Sequence, residues 1–208
     1  MKATKWKSYS LALIAGMSVL TACSSDDNND NGGNGNNGNG NEIENGTTLK
    51  GTITSDVTLT AGSTYKLSGE YIVEDGATLN IEAGVKIISI YDDIVDYILV
   101  KQGGKINAVG TSSAPIVMTS EKEEPGAWGG IHICGKAHTN AEGGKGSSEI
   151  GGATYGGNDD ADNSGTLKYV RVEYSGYAFD SEHEANGITF YGVGNGTTVE
   201  YCQAYKGS

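Results

Sequence analysis

The sequence predicts an all-β solenoid, a parallel β-helix, and three observations carry that expectation. From about Gly46 onward, short β-branched runs are broken by glycine, and no stretch places apolar residues at the 3, 4, 7 spacing of an amphipathic helix. One signature recurs: a branched apolar residue, two positions, Gly, two more positions, then two apolar residues separated by one. Two of its copies lie 27 residues apart, an interval that fits one coil of a solenoid in which each strand pairs with the next. An antiparallel β-sandwich is the alternative, because its glycine-punctuated short strands carry the same local pattern.

Taken in chain order, the first element is an address. Lys2, Lys5 and Lys7 form a positive start, and residues 11–20 (LALIAGMSVL) are an apolar run too short to span a bilayer. Leu20-Thr21-Ala22-Cys23 resembles the lipobox of bacterial lipoproteins. That resemblance implies cleavage before Cys23 and acylation of Cys23, with residues 1–22 as the signal. Acyl chains at about 0.8 kcal/mol per buried methylene hold a protein on a membrane without a spanning helix. Ser24-Ser25-Asp26-Asp27 is similar to the acidic surface-export signal of bacteroidete-type lipoproteins, which places the expected location at the outer membrane and cell surface. Residues 28–41 are almost wholly Asn and Gly, cannot bury apolar surface, and make residues 23–42 a flexible tether. The folded domain is expected over residues 43–208.

Within that domain the signature appears from Leu59 to Leu67 around Gly62, from Val73 to Ile81 around Gly76, from Val100 to Ala108 around Gly103, and from Val193 to Tyr201 around Gly196. Glycine takes the left-handed backbone of a tight corner, and the alternation after it sends one side chain inward and the next outward. The first two copies are only 14 residues apart, so the first is expected in a capping coil or on a different face.

Composition excludes several functions. The formal net charge is −12, and removing residues 1–22 takes away three lysines and no acid, leaving −15. Such a surface repels phosphate backbones and argues against nucleic-acid partners. No phosphate loop, nucleotide fingerprint, serine elbow or paired CxxC motif is present. Cys134 and Cys202 remain after Cys23; a disulfide between them and two small buried thiols are both open readings.

Three groups of residues are candidates for chemistry. Asp160-x-Asp162-x-Ser164-Gly165 matches the opening of an EF-hand-like calcium loop, but position twelve is Arg171 where a bidentate Glu is needed. That leaves a simpler Ca2+ site at Asp160, Asp162 and Ser164, with a solvated acidic loop as the alternative and no other cofactor expected. Asp180, Glu182, His183 and Glu184 would put three carboxylates on one side if the segment were extended, in reach of general acid–base work; a solvated loop is the plainer expectation. His132, between Ile131 and Ile133, is expected to face outward, and with His138 alone nearby it lacks the third ligand that zinc needs. Trp128, beside Gly129 and Gly130, is expected to leave its ring accessible for stacking on a glycan, as are outward tyrosines.

Four further segments carry a family resemblance. They are Gly110-Thr-Ser-Ser-Ala-Pro115-Ile116, Trp128-Gly-Gly-Ile-His-Ile133, residues 163–174 (NSGTLKYVRVEY), and Asn186-Gly-Ile-Thr-Phe190 followed by residues 192–198 (GVGNGTT). Over residues 50–208 the chain resembles right-handed β-helix surface lipoproteins of bacteroidete-type bacteria. The resemblance implies a right-handed β-helix at the cell surface, carries no catalytic residue, and implies further coils after Tyr201–Ser208, so that residues 43–208 are expected to be an incomplete domain. The expected function is a non-catalytic glycan-binding or structural module held on the membrane by its lipid. The alternative is a polysaccharide lyase or glycoside hydrolase. Lyases acting on uronates need cations to neutralise the substrate, and this chain has one arginine, Arg171.

Overall fold

In the computed structural model the described residues are 41–180 and 183–208. The expected signal, Cys23, the acidic motif and the tether up to residue 40 lie outside them. The chain winds into a right-handed parallel β-helix of six coils, and the first strand begins at Asn41. The first coil holds β1 (Asn41–Ile43) and β2 (Thr48–Ile53), and the second holds β3 (Val57–Leu59) and β4 (Thr64–Val73). The third holds β5 (Thr78–Ile81), β6 (Lys86–Ser89) and β7 (Tyr97–Val100); the fourth holds β8 (Lys105–Val109), β9 (Ile116–Ser120) and β10 (Ile131–Cys134). An excursion follows, with a small antiparallel pair of β11 (Gly146–Ser147) and β12 (Thr154–Tyr155). The fifth coil holds β13 (Gly165–Lys168), β14 (Val170–Glu173) and β15 (Ile188–Tyr191), and the sixth β16 (Thr198–Glu200) and β17 (Gln203–Tyr205).

Apart from β11 with β12, every strand pair among the described residues is parallel, which settles the choice between solenoid and sandwich. The first face stacks β1, β3, β5, β8, β13 and β16. The long strand β4 serves two faces: its first half pairs with β6 and its second half with β7. Gly69 turns the strand between the halves at φ 69°, a conformation that disfavours any residue with a Cβ. From there β6, β9, β14 and β17 build the second face, and β7, β10 and β15 the third.

The 27-residue offset between signature copies is one turn of the coil, with Leu79 opposite Ile106 and Ile81 opposite Ala108. The copy beginning at Leu59 wraps the corner between the first and second faces, whereas those at Val73, Val100 and Val193 wrap the corner between the third and first. This is why the first two copies are so closely spaced.

Inward ladders follow from the two-residue period of each strand. Leu59, Ile81, Ala108 and Leu167 stack on the first face, Tyr65, Ile87, Met118 and Val172 on the second, and Val73, Val100 and Ile133 on the third. All are buried in one core, and each large member stabilises the fold by about 1.5–3 kcal/mol. The ladder through Leu79 and Ile106 ends on Gly165, where an added Cβ would meet the Ile106 carbonyl oxygen at 2.1 Å. In the last two coils, single residues in left-handed conformation replace the glycine corners: Tyr169 (φ 51°) and Tyr201 (φ 54°) stack their rings 4.6 Å apart.

Candidate functional site

The corner between the second and third faces lengthens from coil to coil. In the second coil it is Gly69 alone; in the third, fourth and fifth it becomes the segments 90–96, 121–130 and 174–187. These segments gather around a cleft of about 220 Å³ whose walls include Tyr91, Asp92, Asp93, Ile94, Ala127 and Tyr177. Tyr91 and Ile94 are 58% and 60% exposed. Tyr177 packs edge-on to Phe179 at 5.0 Å, and the Lys122 ammonium lies 4.4 Å from the Tyr91 ring centre.

Directly after the lining residue Val95, the chain is tied down at Asp96. The buried Asp96 carboxylate accepts the Gly69 amide and, at 2.7 Å, the Ser89 hydroxyl, while its own carbonyl accepts the Gly129 amide at 2.7 Å. Burial pushes the Asp96 carboxyl up to about 6, because a charged group taken from water is disfavoured. Thus the loop carrying Tyr91 to Ile94 is anchored at its exit by hydrogen bonds to two neighbouring coils.

Trp128 follows Ala127 of the cleft wall, and its expected accessibility is corrected. The side chain is 1% exposed, its indole N–H donates to the Glu173 carbonyl at 2.7 Å, and its own carbonyl accepts the Gly176 and Tyr177 amides. Trp128 therefore positions Tyr177 and presents no face to a ligand. Its glycine neighbours serve close backbone approach: a Cβ on Gly129 would lie 3.0 Å from the Asp96 carbonyl oxygen, and one on Gly130 would lie 2.3 Å from that of Asn186.

A second cleft, of about 370 Å³, lies at the corner between the third and first faces, between Glu74, Lys101 and Gln102 on one side and residues 151–154 of the excursion on the other. Lys101 Nζ contacts Glu74 Oε1 at 2.6 Å. Gln102 Nε2 donates to the Gly135 and Gly156 carbonyls at 2.7 and 2.8 Å, which ties the start of the excursion to its return.

His132 does point away from the main core, as strand alternation requires, yet it is fully buried. The excursion packs over the outer side of the third face, where Ile72, Leu99, Cys134 and Ala153 form a second apolar cluster flanked by Tyr97, Tyr155 and Tyr191. His132 Nε2 donates to the Gly129 carbonyl at 2.8 Å, and its ring stacks at 6.1 Å on Tyr191. Burial lowers its pKa and keeps the imidazole neutral. Cys134 lies in the same cluster, with its thiol pushed up to about 11 by burial, and Cys202 is a free, half-buried thiol.

Of the three candidate calcium residues, Asp162 and Ser164 meet, whereas Asp160 turns to another partner. Exposed Asp160 accepts from His138, with the ring nitrogen at 2.7 Å. Asp162 is turned inward, where its carboxylate accepts the Ser164 hydroxyl at 2.9 Å and the Gly194 amide at 3.4 Å. Among the described residues no group of three or more His, Cys, Asp or Glu side chains is placed to hold a metal ion. Asp180 and His183 form an exposed pair at 3.0 Å, and the Phe179 and Asp180 amides donate to the His183 carbonyl. Glu182 lies outside the described residues.

Sequence reasoning did not single out Tyr91, Asp92, Asp93, Tyr177, Glu74 or Lys101. One signal was available: residues 90–96 (IYDDIVD) interrupt the strand pattern between two well-formed repeats, as an insertion at a corner does. No curated protein and no solved structure matches the chain. A family model described as a pectate-lyase-like β-helix domain matches residues 51–208, from β2 through β17. With about three quarters of its length matched and its ladders in parallel register, the chain belongs to the pectate-lyase-like β-helix domain family.

Proposed function

We propose that this protein is a cell-surface glycan-binding β-helix, anchored in the outer membrane through acylated Cys23, that holds its ligand without cutting it. The observation that carries the reading is the cleft at the lengthened corner. Tyr91 and Tyr177 supply flat apolar rings with polar tips, and Asp92 and Asp93 supply acceptors for sugar hydroxyls. A rigid scaffold beneath variable corner loops is a general arrangement for binding sites. The charge of the cleft favours neutral glycans over uronates. Its carboxylates repel polyanions, the Lys122 ammonium beside Tyr91 is paired with Glu124 at 3.1 Å, and elsewhere Lys101 is engaged by Glu74 and Arg171 by Glu173.

The test is a glycan array probed with the mature chain, followed by titration of the hits. Tyr91→Ala and Tyr177→Ala are each expected to weaken binding by at least ~10-fold, the scale of an aromatic hot spot, without lowering the melting temperature by more than a few degrees. A blank array refutes glycan binding, and unsaturated or reducing-end products from any polysaccharide refute the non-catalytic part. Anchoring is tested separately by palmitate labelling, expected in the native chain and lost in Cys23→Ser.

A further inference from the structure

We infer that the excursion between β10 and β13 is an acid-released cover whose trigger is His132: the ring takes a proton only when the excursion lifts from the outer side of the third face.

The trigger sits where a positive charge has no support. Strand alternation turns His132 outward, in register with Leu99 of β7 and Thr189 of β15, yet the side chain is fully buried. Tyr97 meets the ring edge-on at 6.3 Å, Tyr191 stacks on it at 6.1 Å, and Tyr191 in turn packs at 5.2 Å on Tyr155 of β12. Because Nε2 donates to the Gly129 carbonyl, Nδ1 is the acceptor nitrogen of a neutral ring. A proton placed there would face only the Tyr191 hydroxyl at 3.5 Å, beyond the ~2.7–3.2 Å of an N–H···O bond. Among the described residues, no hydrogen bond or ion pair joins the ring to a carboxylate. Glu70 is bonded to the Tyr97 hydroxyl, and Glu149 acts on Tyr191. Burial pushes the Tyr97 and Tyr191 hydroxyls up to about 12 and the Cys134 thiol up to about 11, so all three stay uncharged in acid.

The excursion is the lightly held wall of this enclosure. β10 and β15 are locked in a parallel ladder over four residues, whereas β11 and β12 pair over two. Its apolar anchorage is Ala153 in the cluster with Ile72, Leu99 and Cys134, together with the backbone of Gly151 against Leu99. Release uncovers that cluster and removes residues 151–154 from the second cleft, and the tyrosine cleft keeps its own walls.

The sign follows from linkage. A released imidazole titrates near ~6.5, and burial lowers the pKa of the covered ring, so the cover is held above about pH 6.5 and loses up to ~10-fold in its closing equilibrium for each pH unit below it. Asp96, whose carbonyl accepts the Gly129 amide, acts in the opposite sense, because folding raises its pKa and its contribution grows as pH falls. The exposed pair of His138 and Asp160 joins the two ends of the excursion and is the other titratable contact.

The test is hydrogen exchange of the mature chain at about pH 7 and about pH 5, corrected for intrinsic rates and read by mass spectrometry. Protection of the Ser148 and Gly156 amides, which donate to the Ala153 and Gly135 carbonyls, is expected to fall by at least ~10-fold in acid, while the ladders of β8 and β13 keep theirs. His132→Gln retains a donor without a charge and is expected to abolish the response; His132→Phe, an apolar ring for the same stack, serves where Gln loosens the cover at pH 7. His138→Gln is expected to leave the response in place. Protection that is unchanged in acid, an acid loss confined to residues 174–187, or a loss that persists in the His132 variants overturns the inference.

Discussion

Replacing Trp128 by alanine separates two roles that the same residue was open to. As a member of the main core, Trp128 is 1% exposed and among the largest fully buried side chains. Its removal costs about 3–5 kcal/mol from lost burial and the void left behind. The change also removes the indole donor to the Glu173 carbonyl, at a further ~1 kcal/mol. Against a total stability of about 5–15 kcal/mol, that is a large share. With a urea m-value of about 2 kcal/mol/M, the midpoint is expected to fall by roughly 2–3 M, followed by far-UV circular dichroism. Trp128→Phe keeps most of the volume and loses the donor, so a fall of about 1–2 kcal/mol is expected. A wild-type midpoint for Trp128→Ala, together with lost glycan binding, would refute the burial argument and restore the ring as a ligand platform.

Other outcomes follow from the same contacts. The Asp96 carboxyl titrates near 6 when folded and near 3.8 otherwise, so the native state binds the proton more tightly and stability falls as pH rises from about 4 to about 6. The loss is on the order of 2–3 kcal/mol, and Asp96→Asn is expected to flatten that part of the pH–stability curve; an unchanged curve sinks the assignment. Gly165→Ala drives a Cβ into the Ile106 carbonyl from a φ of 115°, at a cost of at least ~2 kcal/mol, read as a lower melting temperature. Gln102→Ala frees the two carbonyls that tie the excursion. Limited proteolysis within residues 139–152 is then expected to quicken by at least ~5-fold at an almost unchanged global melting temperature, from a local loss of about 1–2 kcal/mol.

Much of the fold was legible because the repeat is local chemistry. Val100 and Val73 each begin a run in which glycine takes the corner and alternation fills the core, and their offset of 27 residues is the length of a coil. The outward direction of His132 was legible for the same reason. Its burial was not, since alternation assigns a side of the sheet and says nothing about the 30-residue excursion that returns to cover it. Trp128 misled in a related way: glycines beside an aromatic look like clearance for its ring, whereas Gly129 and Gly130 admit the backbones of neighbouring coils.

What could be read from the sequence was an all-β chain of glycine-cornered coils, an acidic composition, and an amino-terminal segment that resembles a lipoprotein signal. Those properties depend on residues close together in the chain or on simple totals of charge. Tertiary structure alone decided that Asp162 turns inward while Asp160 turns to His138, that Trp128 is core, and that Tyr91, Asp92, Asp93 and Tyr177 share one cleft. Tyr91 and Tyr177 are 86 residues apart, and only the stacking of the third, fourth and fifth coils places their corners side by side.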